Sequence, residues 1–222
     1  MTLWPYNEMP AGFVLTGYGL DPADEQALTE KIWSWLVAGN ADADEFVDAE
    51  QEGWDLTGDQ LYAAFEAARE VRIEQQAQWT SEQTGTNLDR AFAELNEAGI
   101  LARQNFTCCG TCGTAEIGGE MDGSRHWRGY VFFHQQDTET LVDSGYAYLN
   151  YGLFPPADFD QEAYSQLSEA DKEAAYLADL EAVIADDAVP RLEKHGLDVE
   201  WDGNIRTRIL LRNAQWYVPL DA

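Results

Sequence analysis

The sequence predicts an α+β fold: a helical N-terminal half of three helices, then a mixed, mainly antiparallel sheet with one long helix in the C-terminal half. Capped apolar stripes at helical spacing fill the stretch before Ile100. The period then shortens to brief apolar runs, and Asp202-Gly203 falls between two alternating segments as a hairpin signal. The chain reads as one domain over residues 1–222, with a possible division into a helical part, 1–99, and an α+β part, 100–222.

Residues 1–20 read as an extended lead-in, turned at Pro10, Gly12, Gly17 and Gly19. Asp21 suits a helix cap and Pro22 the first helical position. Leu28, Ile32, Trp35 and Leu36 then share a face until Gly39 ends the first helix. Residues 40–56 read as an acidic connector. Asn40-Ala-Asp42-Ala-Asp44 has the look of a calcium loop, but Glu45 stands where a glycine is needed and Gln51 where a bidentate glutamate is needed, which excludes an EF-hand.

Thr57 and Gln60 have capping-box spacing and open a second helix, whose stripe of Leu61, Phe65, Ala68 and Trp79 reaches about Ser81. The third helix starts at Thr86, buries Leu88, Phe92 and Leu95, and ends at Gly99. It offers Arg90 against Asp89, Glu94 and Glu97, so a helix that reads DNA is excluded.

Residues 100–107 read as extended and lead into Cys108. Residues 130–133 and 146–151 read as strands, joined by a short connection with room for a helical turn. A last helix begins near Ser168 with Asp171 at the reciprocal capping position; Pro190 kinks or restarts it and Gly196 closes it. Residues 197–211 read as a hairpin with a two-residue primed turn, and 215–218 as a further strand.

Across 222 residues, 41 Asp and Glu face 13 Lys and Arg, a net charge of −28, and Lys31 is the one basic residue before Arg69. A field of that sign repels phosphate backbones and anionic lipid surfaces, so neither nucleic acid nor membrane is expected as a partner. A protein or small-molecule ligand is. The first twenty residues lack the basic start and unbroken apolar run of a signal peptide, and three clustered cysteines are too few for a secreted disulfide framework. A cytoplasmic location is the expectation.

Cys109-Gly-Thr-Cys112-Gly113 has the spacing of a metal knuckle, in which two thiolates converge on one ion. No second pair of this kind exists, so a zinc site would be built from Cys108, Cys109, Cys112 and His134. The same spacing also suits a redox pair, but that chemistry wants a helix directly after the first thiol, and Gly113, Gly118 and Gly119 argue against one. The third reading is a tight structural turn with free thiols.

Phe133-His134-Gln135-Gln136-Asp137-Thr138-Glu139 places polar groups at a strand end. His134 there is a candidate general base, with Asp137 or Glu139 to orient it. Alternatively, His134 ends the strand and Asp137 caps a helical turn. Arg125-His126-Trp127-Arg128 is a dense basic-aromatic patch suited either to an anion or to acidic neighbours.

Three runs together, Phe106 to Ile117, Gly129 to Glu139 and Tyr148 to Gly152, with the closing Asp198-Val-Glu-Trp-Asp-Gly-Asn204, resemble an uncharacterised bacterial family described only as a domain of unknown function. The resemblance implies a shared fold and carries no catalytic role to any residue. The residues themselves leave two expectations. One is a non-enzymatic module binding a protein or small ligand. The other is a metal- or thiol-dependent enzyme using Cys108, Cys109, Cys112 and His134.

Overall fold

The computed structural model describes residues 4–156 and 159–221, so the first three residues of the lead-in lie outside it. The fold is α+β, and contacts divide the chain into two compact units. One contains residues 4–85, 142–144 and 216–221, the other 86–141 and 145–215.

The first unit is helical. Asp21 accepts from the N–H groups of Ala23 and Asp24 at 2.9 and 3.0 Å and starts α1, Pro22–Val37. The expected acidic connector contains a helix, α2, Ala43–Glu50. Asp42 caps it through the N–H groups of Asp44 and Glu45, and the helix exists to bury Phe46, which is sealed from solvent. Next comes α3, Gly58–Gln76, behind the capping box of Thr57 and Gln60. It stops short of Ser81, because Thr80 caps a separate short helix, α4, Ser81–Thr84. Leu28, Ile32, Leu36, Phe46, Leu61 and Phe65 form the core of this unit.

Arg72 on α3 is fully buried. Nη1 donates to the Tyr6 carbonyl at 2.6 Å and to Gln75 Oε1 at 2.8 Å, and Nη2 to Asn7 Oδ1 at 3.3 Å. The rings of Trp33, Trp79 and Tyr217 stand 5.3–5.7 Å from the guanidinium. Burial pulls its pKa down to about 10. The strand expected at 215–218 is absent. Trp216 Nε1 donates to the Val37 carbonyl, and the Trp216 carbonyl accepts from Asn7 Nδ2, so side chains hold this segment where a ladder would.

The second unit carries the sheet. After α5, Asn87–Glu97, capped by Thr86, come β1, Ile100–Arg103; α6, Gly110–Glu116; β2, Gly129–Phe132; α7, Gln135–Ser144; and β3, Tyr146–Leu153. The final turn of α7, Val142–Ser144, clusters with the first unit. Then follow α8, Gln161–Ser165; α9, Glu169–Leu180; α10, Val189–Lys194; β4, Asp198–Glu200; and β5, Ile209–Arg212. The strand order is β1-β2-β3-β5-β4, parallel between β1 and β2 and antiparallel elsewhere. Central β3 sets Asn150 opposite Phe132 of β2.

Ser168 caps α9 as the spacing predicts, and the helix continues through a π-helical segment, Glu181–Ala188, into α10. Pro190 therefore lies in the first turn of α10, directly after wider π-helical turns that accommodate a residue with no N–H to donate. The terminal strands pair as a hairpin, Asp198 opposite Arg212, but residues 201–208 connect them in place of a two-residue turn. Asp202 Oδ1 reorganises the connection by accepting from Asn204 N–H at 3.0 Å and Thr207 Oγ1 at 2.7 Å. Among the described residues no helix is long and apolar enough to cross a membrane.

Candidate metal centre

The parallel pairing of β1 with β2 requires a crossover, and the cysteines lie in it. Two residues on the way in, Asn105 and Thr107, hold φ of +50° and +61°, the latter a β-branched residue in the left-handed region. Bonds to the segment after β2 fix this stretch. The Phe106 N–H donates to the Phe133 carbonyl at 2.9 Å, the Gln135 N–H to the Thr107 carbonyl at 3.1 Å, and Thr138 Oγ1 to Asn105 Oδ1 at 2.8 Å. Thr107 Oγ1 then donates to the Cys109 carbonyl at 3.2 Å.

A helix does follow the first thiol of the pair, contrary to the reading of Gly113 as a helix breaker. Extended Cys109 is the N-cap of α6. The glycines are there for close approach. A Cβ on Gly113 would stand 2.3 Å from the Phe132 ring, and one on Gly110 3.0 Å from Asn150 Oδ1. Phe132 and Asn150 are cross-strand partners, so α6 lies down on one β2–β3 pair through two residues that lack side chains.

The sulfurs of Cys108, Cys109 and Cys112 all lie within 4.8 Å of one another, Cys108 exposed and the other two partly buried. All three are free thiols. Cys109 is held below the usual thiol range, first by the N–H of Cys112, then by the Cys112 thiol and the N–H of Thr111. Cys112 is pushed up to about 11, because its S–H serves Cys108 and Cys109 and its anion would face theirs.

His134 belongs to a second cluster. It is the N-cap of α7: Nδ1 accepts from the Asp137 N–H at 3.4 Å, and Asp137 Oδ2 lies 3.0 Å from Nε2. Arg208 Nη1 donates to both Asp137 oxygens, at 2.9 and 3.1 Å, and its guanidinium lies 4.8 Å from the Tyr148 ring centre. Burial lowers the His134 pKa; Asp137 opposes the shift and Arg208 adds to it. The ring is therefore neutral near pH 7; acceptance of the Asp137 N–H by Nδ1 assigns the proton to Nε2, which lies 3.0 Å from Asp137 Oδ2 and 3.3 Å from Arg208 Nη1. Both nitrogens are engaged. Glu139 is exposed on α7, and His126 is exposed beyond α6. Arg125 Nη1 caps α5 by donating to the carbonyls of Asn96 and Glu97.

The sequence-predicted residues thus fall into a thiol group and a His134–Asp137 group. The sequence reading did not single out Arg208, Tyr148 or Asn150. Asn150 did leave a signal: an asparagine within Tyr148-Leu-Asn-Tyr151, at the middle of an aromatic strand, is a poor strand former. Its Nδ2 is buried and has no hydrogen-bond partner.

A family model described as domain of unknown function (DUF6891) matches residues 21–219. No curated protein and no solved structure matches the chain.

Proposed function

The chain belongs to this family, and we propose that it is a metal-binding module whose Cys108, Cys109 and Cys112 hold a soft ion, zinc being the first to test. The observation that carries the proposal is the convergence of three sulfurs within 4.8 Å. Thiolates around tetrahedral zinc, with Zn–S bonds of about 2.3 Å, sit about 3.8 Å apart, so small side-chain rotations suffice. Soft thiolates select zinc or monovalent copper over calcium or magnesium.

The chain then supplies three ligands. A water or a small exogenous ligand takes the fourth position, since the His134 nitrogens already serve Asp137. The strained Thr107 upstream supports a site role, because such backbone is kept where surrounding structure holds a functional geometry. Reduced thiols require a reducing compartment, in keeping with a cytoplasmic location.

The start of α6 directly after Cys109 favours a second reading, thiol–disulfide exchange. In it, the Cys109 thiolate attacks a partner's disulfide and releases one partner sulfur as thiolate. Cys112 then loses its proton and displaces the other, leaving a Cys109–Cys112 disulfide and two electrons on the partner.

Elemental analysis with thiol titration separates these. One zinc per chain, lost in Cys109→Ser and Cys112→Ser, supports the metal module. Three freely titrating thiols with no metal, after purification under zinc-replete reducing conditions, sink it. A Cys109–Cys112 disulfide formed from oxidised glutathione and reversed by reduced glutathione favours exchange.

A further inference from the structure

We infer that Asn150 is a positioning residue for the thiol cluster, its side-chain amide donating to the sulfurs once they carry charge. The inference rests on the metal-module reading. Asn150 occupies central β3 on the face that α6 covers, opposite Phe132. Its Nδ2 is sealed from solvent without a partner, whereas buried amide donors are nearly always paired.

Gly110 marks what the amide faces. A Cβ there would stand 3.0 Å from Asn150 Oδ1 and 3.6 Å from Nδ2, so the residue right after Cys109 rests on this side chain. A leucine of similar size would fill the same space with no unmet donor. An amide gains over it only if an acceptor arrives.

The acceptor that the site lacks in its thiol form is a thiolate. Three thiolates around a dication leave a net charge of −1, in a chain already at −28. A neutral N–H donor offsets that charge without placing another ion in the site, and such outer donors orient and tune metal ligands.

The test uses the full chain and zinc itself. Zinc affinity is measured by competition with a chromophoric chelator, and Co2+ is substituted to read the thiolate-to-metal charge-transfer band. Asn150→Leu is expected to weaken zinc about 10–100-fold and to shift the band. Asn150→Asp, which sets a like charge beneath the sulfurs, is expected to weaken it further. Far-UV circular dichroism confirms folding, and Asn150→Ser replaces the leucine variant if that one does not fold.

Affinity and band unchanged in Asn150→Leu overturn the inference. If the wild type takes up neither zinc nor Co2+, the metal reading fails on its own, and alkylation of Cys109 by iodoacetamide at pH 7 decides the role of Asn150. A markedly lower rate in Asn150→Leu keeps Asn150 as a donor to the thiol cluster. An equal rate removes it.

Discussion

Gly113 lies so close over Phe132 that a methyl group in its place would come within 2.3 Å of the ring. A short helix that contains Cys112 and is capped by Cys109 is thereby pressed onto the sheet, and Asn150 supports its first turn at Gly110. Helix propensity alone would favour alanine at position 113; close packing reverses the sign.

Gly113→Ala is therefore expected to destabilise the fold by about 1–3 kcal/mol, the usual range for overpacking. Urea denaturation measures it. In a Phe132→Leu background, where the ring has gone, most of that cost should vanish. An equal cost in both backgrounds would mean that the ring is not what the methyl meets.

His134 links the second cluster to pH. Its folded pKa lies below the 6.5 of a free imidazole, so below about pH 6.5 the unfolded chain takes up the proton first. The stability that neutral His134 contributes is present above that pH and is lost as the pH falls toward the folded value. Urea midpoints from pH 8 to 5 should show the fall, and His134→Asn, which keeps a capping side chain, should flatten it. An unaltered fall in the variant assigns the effect to another group.

Arg72→Lys keeps a charge but lacks the fork that reaches Tyr6, Asn7 and Gln75 together. The expected loss is about 2–4 kcal/mol, from charged hydrogen bonds worth about 1.5–3 kcal/mol each. Thermal unfolding reads it directly. A variant as stable as the wild type would show that the three aromatic rings hold the cation without the fork.

Removing zinc with EDTA should lower the melting temperature of the loaded protein and leave its far-UV circular dichroism at 20 °C nearly unchanged. The physical reason is that α6 is anchored by Phe132 and Asn150, not by the ion. Collapse of the spectrum on chelation would instead make the ion a condition of folding.

Much of the helical architecture was legible because its starts are chemical. Asp21, Thr57, Thr86 and Ser168 each cap where their spacing indicates. Helix α2 was hidden because its acidic run resembles a solvated loop, and the residue that makes it fold, Phe46, works through contacts distant in sequence. The pairing of β4 with β5 followed from alternation, but its connection did not, since Asp202 binds Thr207 and makes a longer loop.

At the candidate site, the three cysteines declared themselves by spacing, and the structure gathers their sulfurs. The helix behind them did not, since Gly113 lowers local propensity for the sake of a tertiary contact. His134 and Asp137 are near neighbours in sequence and meet in the fold, yet their partner Arg208 lies more than seventy residues away and no local pattern announces it.

The three sulfurs come from a segment of five residues, Cys108 to Cys112, whereas Asn150 comes to lie beneath Gly110 only when β3 has joined β2. If these thiols hold metal as proposed, nascent chain already has all three ligands within one short segment before any sheet exists. Metal captured at that stage stabilises unfolded and folded chain alike, so the melting temperature rises less than the affinity of the native site would give. On the metal reading, the ion would then be chosen during synthesis, among the soft metals at hand, and the finished sheet would inherit that choice.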